Sequence, residues 1–274
     1  MTIESMNPTS RRFEIGNVLT NMSRAVGQNW MGFFGLSLLL QGLPAAVVGY
    51  FQAIIVGNTS QPGATPDPSQ ILGVAGFLLI GLLVGIISSS VLQATISFGV
   101  IASLRGRSTT FSECLASGLR YFPRALGIGF LCGLAIIAVF IVGSILIIVG
   151  AVLAVIMALA WSIAVPVAVA EDKGVLASIS RSGQITNGYK GQIFLLFLIY
   201  VVVYWVLSML GAGIGASLLS LGMQSYLMVS GVIISPLLAS AAAVFSSAGV
   251  SAIYYELRSS RDGVGIEDMA AVFE

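Results

Sequence analysis

Residues 125–170 read ALGIGFLCGLAIIAVFIVGSILIIVGAVLAVIMALAWSIAVPVAVA, without one charged side chain. A single straight helix through them would run about 69 Å at 1.5 Å per residue, more than twice the ~30 Å hydrocarbon core of a bilayer. Two spans joined by a tight turn between Gly143 and Gly150 fit that length. The run shows none of the apolar–polar alternation, in segments of about 10 residues, that marks a membrane β-barrel. The fold class expected is all-α, a polytopic membrane helical bundle.

The rest of the chain agrees. Its 274 residues are 57% hydrophobic and 8% charged, with mean hydropathy +1.00, whereas soluble domains carry about 25% charged residues. Further apolar blocks cover residues 30–56, 71–100 and 191–255. The last is long enough for two spans, with a turn around SLLSLGMQS (217–225). The stretch NTSQPGATPDPSQ (58–70) is rich in turn formers, carries Asp67, and reads as a loop. The first apolar run begins only near Trp30, later than in a secretory leader, and reads as a retained span.

All 12 Lys and Arg fall in four clusters. These are Arg11, Arg12 and Arg24; Arg105, Arg107, Arg120 and Arg124; Lys173, Arg181 and Lys190; and Arg258 with Arg261. Cytoplasmic loops hold the Lys and Arg, so all four clusters share one face and each apolar block crosses an even number of times. Six transmembrane helices in three hairpins follow, with both termini cytoplasmic.

An amphipathic segment on the cytoplasmic side precedes each hairpin, and such helices lie in the membrane interface. In the first, Phe13, Val18, Met22 and Val26 share a stripe; in the second, Phe111, Cys114, Leu115, Leu119 and Phe122 do; in the third, Val175, Leu176 and Ile179 begin one. Thr110 with Glu113 makes a capping box for the second. Residues 1–274 therefore read as one membrane domain. It consists of a tail (1–10), the first interfacial helix and span (11–57), a second span (71–104), a second unit (109–170), a third unit (174–258) and a C-terminal tail (259–274).

Lipid is as apolar as leucine, so small residues that let backbones approach decide where membrane helices meet. The sixth span offers Gly231, Ser235, Ala239, Ala243, Ser247 and Ser251, and the second Gly81, Gly85, Ser89, Gln93 and Ser97, each row at a spacing of four. These rows are the expected packing seams. Pro236 is expected to kink the sixth helix, and Gln93 to make an interhelical hydrogen bond worth ~1 kcal/mol.

Little in the sequence points to catalysis. There is no histidine, which removes the commonest general base and transition-metal ligand. Cys114 and Cys132 make no metal or redox spacing. Phosphate-loop, zinc-protease and dinucleotide motifs are absent. A net charge of +1 without a basic stripe offers nothing to nucleic acid. No charged residue falls inside an expected span, which weighs against ion-coupled transport. GxxxG at Gly81–Gly85 and Gly211–Gly215 reads as packing. At the membrane border, Glu171, Arg181, Ser182, Glu256 and Arg258, with Asp172 beside them, are the candidates for an interfacial ion network or a lipid-headgroup contact, because acids there need partners.

Pro166, Glu171, Ala177, Arg181-Ser182 and Thr186-x-Gly188, within VPVAVAEDKGVLASISRSGQITNGYKG (165–191), resemble the membrane domain of the bacterial glycerophosphodiester phosphodiesterase membrane-domain family and related multi-span proteins. YYELR (254–258) is similar to the end of that family's last span, and FEIGNVLTNMSRAVGQNW (13–30) to its first amphipathic helix. Gly183 and Gln184 depart from the pattern, standing where tryptophan and an acid are frequent. Family members with enzyme activity carry it in a separate soluble barrel. With about 19 residues after Tyr255, the resemblance implies a membrane module without that activity.

The leading expectation is a non-enzymatic protein of the bacterial inner membrane, a scaffold or accessory subunit, without cofactor or metal. Its expected partners are membrane lipids, a membrane protein complex or a second copy of the chain. The alternative is a transporter or lipid-translocating protein with a path near Pro236 and Gln93.

Overall fold

A computed structural model describes residues 13–59, 68–143, 147–220 and 229–262. Among these residues all regular structure is helical. Helix α1 is Ile15–Gln28; after a break at Asn29, α2 (Trp30–Ser37), a π-helical turn (Leu38–Gly42) and α3 (Leu43–Thr59) run on as one rod. There follow α4 (Pro68–Leu104), α5 (Phe111–Gly143), α6 (Ile147–Trp161), α7 (Ala164–Glu171), α8 (Val175–Thr186) and α9 (Lys190–Ser220). A second π-helical turn (Ser230–Ile234) leads into α10 (Ser235–Asp262).

Six segments are long and apolar enough to cross a membrane: Trp30–Gln52, Leu72–Leu104, Phe111–Gly143, Val149–Glu171, Lys190–Ile214 and Ser230–Arg261. The protein is a multi-pass membrane protein built as a helical bundle. Ile80, Leu82, Ile137, Phe140, Val202 and Trp205 lie exposed on its sides, a distribution suited to lipid rather than to water. Most of the Asp67 loop (residues 60–67), the centre of the turn after Gly143 (144–146), residues 221–228, Arg11, Arg12 and the last twelve residues lie outside the described chain.

The second amphipathic segment differs from expectation. It is no separate surface helix but the first turns of α5, which runs unbroken through Pro123 into the third span. The capping box explains where it starts. Thr110 N–H donates to Glu113 Oε2 at 3.0 Å and Glu113 N–H to Thr110 Oγ1 at 3.3 Å. Such a box satisfies two free backbone donors at a cap worth about 1 kcal/mol, and nothing after it ends the helix. The other two segments, α1 and α8, are separate helices.

Small residues set where spans meet. A Cβ on Gly118 of α5 would fall 1.8 Å from Thr95 Oγ1 and 3.1 Å from Thr95 Cα on α4. One on Gly49 of α3 would fall 2.1 Å from the Gly231 carbonyl oxygen. Gly143 and Gly150 are similarly close, 2.2 Å from a Cβ on the first to the Cα of the second, so the ends of α5 and α6 touch. Between the first and sixth spans, Ser37 Oγ donates to Ser240 O at 2.8 Å and Ser240 Oγ lies 3.5 Å from Ser37 O.

Of the two rows of small residues, Gly231 meets Gly49, and Ser251 Oγ donates to Ser97 Oγ at 3.1 Å. A Cβ on Gly81 would touch Val48 at 3.4 Å, one on Gly85 would meet nothing within 4 Å, and Ser235 is exposed. The middle of both rows (Ser89 on α4; Ala239, Ala243 and Ser247 on α10) borders an open space. The rows close at their ends and stand apart between them.

Candidate functional site

Polar contacts gather the loops at one end of the bundle. Asn17 Nδ2 donates to Glu256 Oε1 at 3.0 Å, Ser103 Oγ to Gln28 Oε1 at 2.8 Å, Arg124 pairs with Asp172, and Arg261 donates to the Asn187 carbonyl. The described basic clusters therefore share one face.

The fourth span breaks between α6 and α7 for a local reason. Pro166 has no N–H to give the Ser162 carbonyl, and its ring crowds the preceding turn. The break frees the carbonyl of Ala160, and α8 supplies the missing donors. Ser182 Oγ donates to Ala160 O at 2.7 Å; Thr186 Oγ1 donates to the Ser182 carbonyl at 2.9 Å and stands in reserve 3.3 Å from Ala160 O. Both side chains are fully buried. Gly188, at φ +89, takes the turn after α8 in a conformation that L side chains rarely adopt. The motif Arg181-Ser182…Thr186-x-Gly188 thus caps a broken span and turns the chain back. Replacing Ser182 by Ala and Thr186 by Val together is expected to cost about 2 kcal/mol, the penalty of an unsatisfied buried acceptor; Ser182→Ala alone should cost about half, because Thr186 remains. Thermal unfolding in detergent, followed by tryptophan fluorescence, measures both.

Glu171, the last residue of α7, anchors an ion network. Its Oε2 lies 2.6 Å from Lys173 Nζ and 3.5 Å from Arg181 Nε. Its Oε1 accepts a hydrogen bond from Tyr254 at 3.1 Å, and Arg258 Nη1 donates to the Tyr254 hydroxyl at 3.2 Å. Glu171, Arg181 and Arg258 are brought together, tying α7 and α8 to α10. Glu256 is not part of this network: two residues from Tyr254, it points to another side of α10, whereas Tyr254 and Arg258 share a face. There Glu256, 6% exposed, accepts from Asn17 at 3.0 Å and Asn21 at 3.4 Å and holds α1.

Asp172 ends α7 in the left-handed region at φ 50. The Arg124 guanidinium that hydrogen-bonds it holds its carboxyl below the ordinary range. A carboxyl lowered by folding stabilises above its unfolded value, ~3.9, and that contribution is lost as pH falls through the lower folded value. Asp172→Asn should therefore unfold slightly earlier than the parent at neutral pH and together with it in strong acid. The difference should be small, because the pair is exposed and screened by salt.

The second feature lies deeper. A cleft of about 460 Å³ opens between the first, second, fifth and sixth spans. Its polar lining is Gln41, Ser89, Gln93, Tyr200, Tyr204, Ser246 and Ser247; Leu92, Ala239, Ala242, Ala243 and Val250 complete it. None of these carries a charge. Tyr200 lies about 15 Å of helix rise from Lys190, Gln93 about 16 Å from Leu104, and Ser246 about 18 Å from Arg258. That is about half the ~30 Å hydrocarbon thickness from the charged end. The cleft therefore stands at mid-membrane.

Its geometry has local causes. Gln41 sits in the π-helical turn Leu38–Gly42; a second such turn, Ser230–Ile234, lies farther along the sixth span at the level of Gly49. Each precedes a proline, Pro44 and Pro236, and a widened turn relieves the donor and the space that proline denies a regular helix. Tyr200 and Tyr204 stack with ring centroids 6.4 Å apart, and the Tyr200 hydroxyl donates to the Ala242 carbonyl at 3.4 Å. Ser246 is satisfied on its own helix, by Ala243 O at 3.2 Å. Among the described residues Gln41 and Gln93 make no side-chain hydrogen bond, and both border the cleft. Their amides offer it donors and acceptors.

Sequence reasoning singled out Gln93, Ser89 and the row on the sixth span but passed over Gln41, Tyr200, Tyr204 and Ser246. Gln41 had a usable signal, as the one amide in the first expected span before Gln52. No family model, curated protein or solved structure matches the chain.

Proposed function

We propose that this membrane protein passes an uncharged polar group across the bilayer through the mid-membrane cleft, as a transporter or a lipid-translocating protein. The observation that carries the reading is the convergence of two unpartnered amides, two tyrosines and three serines on an uncharged cavity at that depth. A primary amide without a partner is costly in an apolar environment. Such groups are kept in membranes where they line a path or a cavity. The lack of charge in the lining favours a neutral group over an ion.

The cleft favours this reading over a scaffold or accessory subunit, which is motivated by surface helices on one side, close-packing seams and the lack of a catalytic set. Asn17 and Asn21 of α1 are engaged by Glu256, and Ser182 and Arg181 of α8 by Ala160 and Glu171. We place the charged end in the cytoplasm of a bacterial inner membrane, on the rule for Lys and Arg and on the resemblance of the α7–α8 and Tyr254–Arg258 motifs to a bacterial membrane module. No covalent chemistry is assigned to the chain.

Reconstitution into proteoliposomes tests the proposal. The parent should release uncharged polyols, or flip uncharged lipids, faster than empty liposomes. Gln93→Leu should slow this by about tenfold, the worth of one hydrogen bond to the passing group. Ala243→Trp, which fills the cleft, should stop it. No flux by the parent, or parent rates in both variants, would refute the reading.

A further inference from the structure

A second cavity adjoins the cleft. It is a groove of about 300 Å³ between α1, α9 and α10, and Tyr200, Tyr204, Ala242, Ser246 and Val250 line both spaces. Away from this junction its walls are wholly apolar, with Leu19 and Met22 from α1, Phe197 and Leu207 from α9, and Phe245 and Gly249 from α10. Along α9 the groove runs from Leu196 to Leu207, about 16 Å of helix rise. Measured from Lys190 it runs from about 9 Å to about 25 Å of helix rise, so it passes alongside the cleft's tyrosines and one end reaches α1. A Cβ on Gly249 would approach only Met22 Sδ, at 3.5 Å, so the missing side chain leaves the groove its width.

The two spaces have opposite chemistry and one shared wall. A polar solute has no use for the groove, and a hydrocarbon has none for the amides of Gln41 and Gln93. A molecule that satisfies both carries an uncharged hydrogen-bonding head and one alkyl chain. We infer that the cleft and groove together hold a single-chain neutral amphiphile drawn from the bilayer. Its hydroxyl-bearing head lies among Gln93, Tyr204 and Ser246, and its chain runs between α9 and α10 beneath α1. This inference rests on the transport reading and names its substrate class. An anionic head is disfavoured because no cation lines the cleft to offset its desolvation.

The test uses the full chain in nanodiscs, with binding read by native mass spectrometry and by quenching of intrinsic fluorescence. The probes are monomyristoylglycerol, lysophosphatidylglycerol of the same chain, and glycerol. Monomyristoylglycerol should bind saturably, and the other two at least about tenfold more weakly. Gly249 and Val203 line the groove and not the cleft, so Gly249→Leu and, independently, Val203→Trp fill the groove and leave the cleft. Each should weaken monomyristoylglycerol binding by about tenfold or more while glycerol flux persists. Absence of saturable binding, equal affinity for the anionic probe, or unchanged affinity in whichever groove variant folds would overturn the inference. Glycerol flux without amphiphile binding would remove the inference and leave the transport reading. Amphiphile binding with no flux of any probe would remove the transport reading and leave the site.

Discussion

Gly118→Val should abolish the folded bundle, seen as loss of the monodisperse peak on size-exclusion chromatography in mild detergent. The Cβ alone would fall 1.8 Å from Thr95 Oγ1 and 3.1 Å from Thr95 Cα. The hydroxyl is not free to swing away at no cost, since it donates to the Val91 carbonyl at 2.8 Å and Thr95 is fully buried. Relief therefore requires α4 and α5 to separate. Overpacking a tight core commonly costs about 1–3 kcal/mol and more where the backbone must move. In a membrane the penalty is harder to recover, because helices associate through close contact rather than through exclusion of water. Gly85→Val on α4, where a Cβ would meet nothing within 4 Å, should leave the peak unchanged.

Glu256→Ala should release α1. The carboxylate accepts from Asn17 and Asn21, and hydrogen bonds to a charged group are worth about 1.5–3 kcal/mol each. Val18 and Ala25, buried at 1% and 0% exposure, still hold the helix by packing. The expected cost is therefore about 3 kcal/mol rather than the full sum. Hydrogen exchange should rise across Ile15–Gln28 and not across α8, which the Glu171 network holds separately. Glu256→Gln keeps one acceptor oxygen and should lose about half as much. Equal exchange in α1 for the parent and Glu256→Ala would remove this role.

What the sequence made legible was what depends on neighbours along the chain. Hydropathy located the spans, because crossing a bilayer requires a long uncharged run whatever the helices later pack against. The Thr110–Glu113 box was readable because capping acts over three residues, and the nearness of Glu171 to Arg181 because one turn separates α7 from α8. The link between Glu256 and Asn17 was not, since those residues lie 239 positions apart and Glu256 reads from its neighbours as a partner of Arg258. Continuity of α5 was not legible either: an amphipathic stripe marks a surface-lying stretch but not where its helix ends, and this one runs unbroken through Pro123 into the third span.

The rows of small residues are the most instructive case. Spacing of four identifies a face, but it does not say whether the face closes on a neighbour or stands away from it. Gly231 closes on Gly49. Ala239, Ala243 and Ser247, on the same row, border the cleft instead, beside the π-helical turn that carries Gln41 in the first span. That is a property of two helices together, and neither sequence carries it alone.

If the cleft is a polar space in the middle of the membrane, water and water-soluble reagents reach it. With Cys114 and Cys132 replaced by alanine, single cysteines at Ser89, Ser246 and Val202 can be treated in proteoliposomes with a water-soluble thiol reagent. Reaction requires the thiolate, which an apolar surrounding suppresses. Val202 lies between Tyr200 and Tyr204 in sequence, faces away from the cleft lining and is 55% exposed on the flank of α9. Labelling is expected at Ser89→Cys and Ser246→Cys and none at Val202→Cys. Equal silence at all three positions would contradict access of water to the cleft.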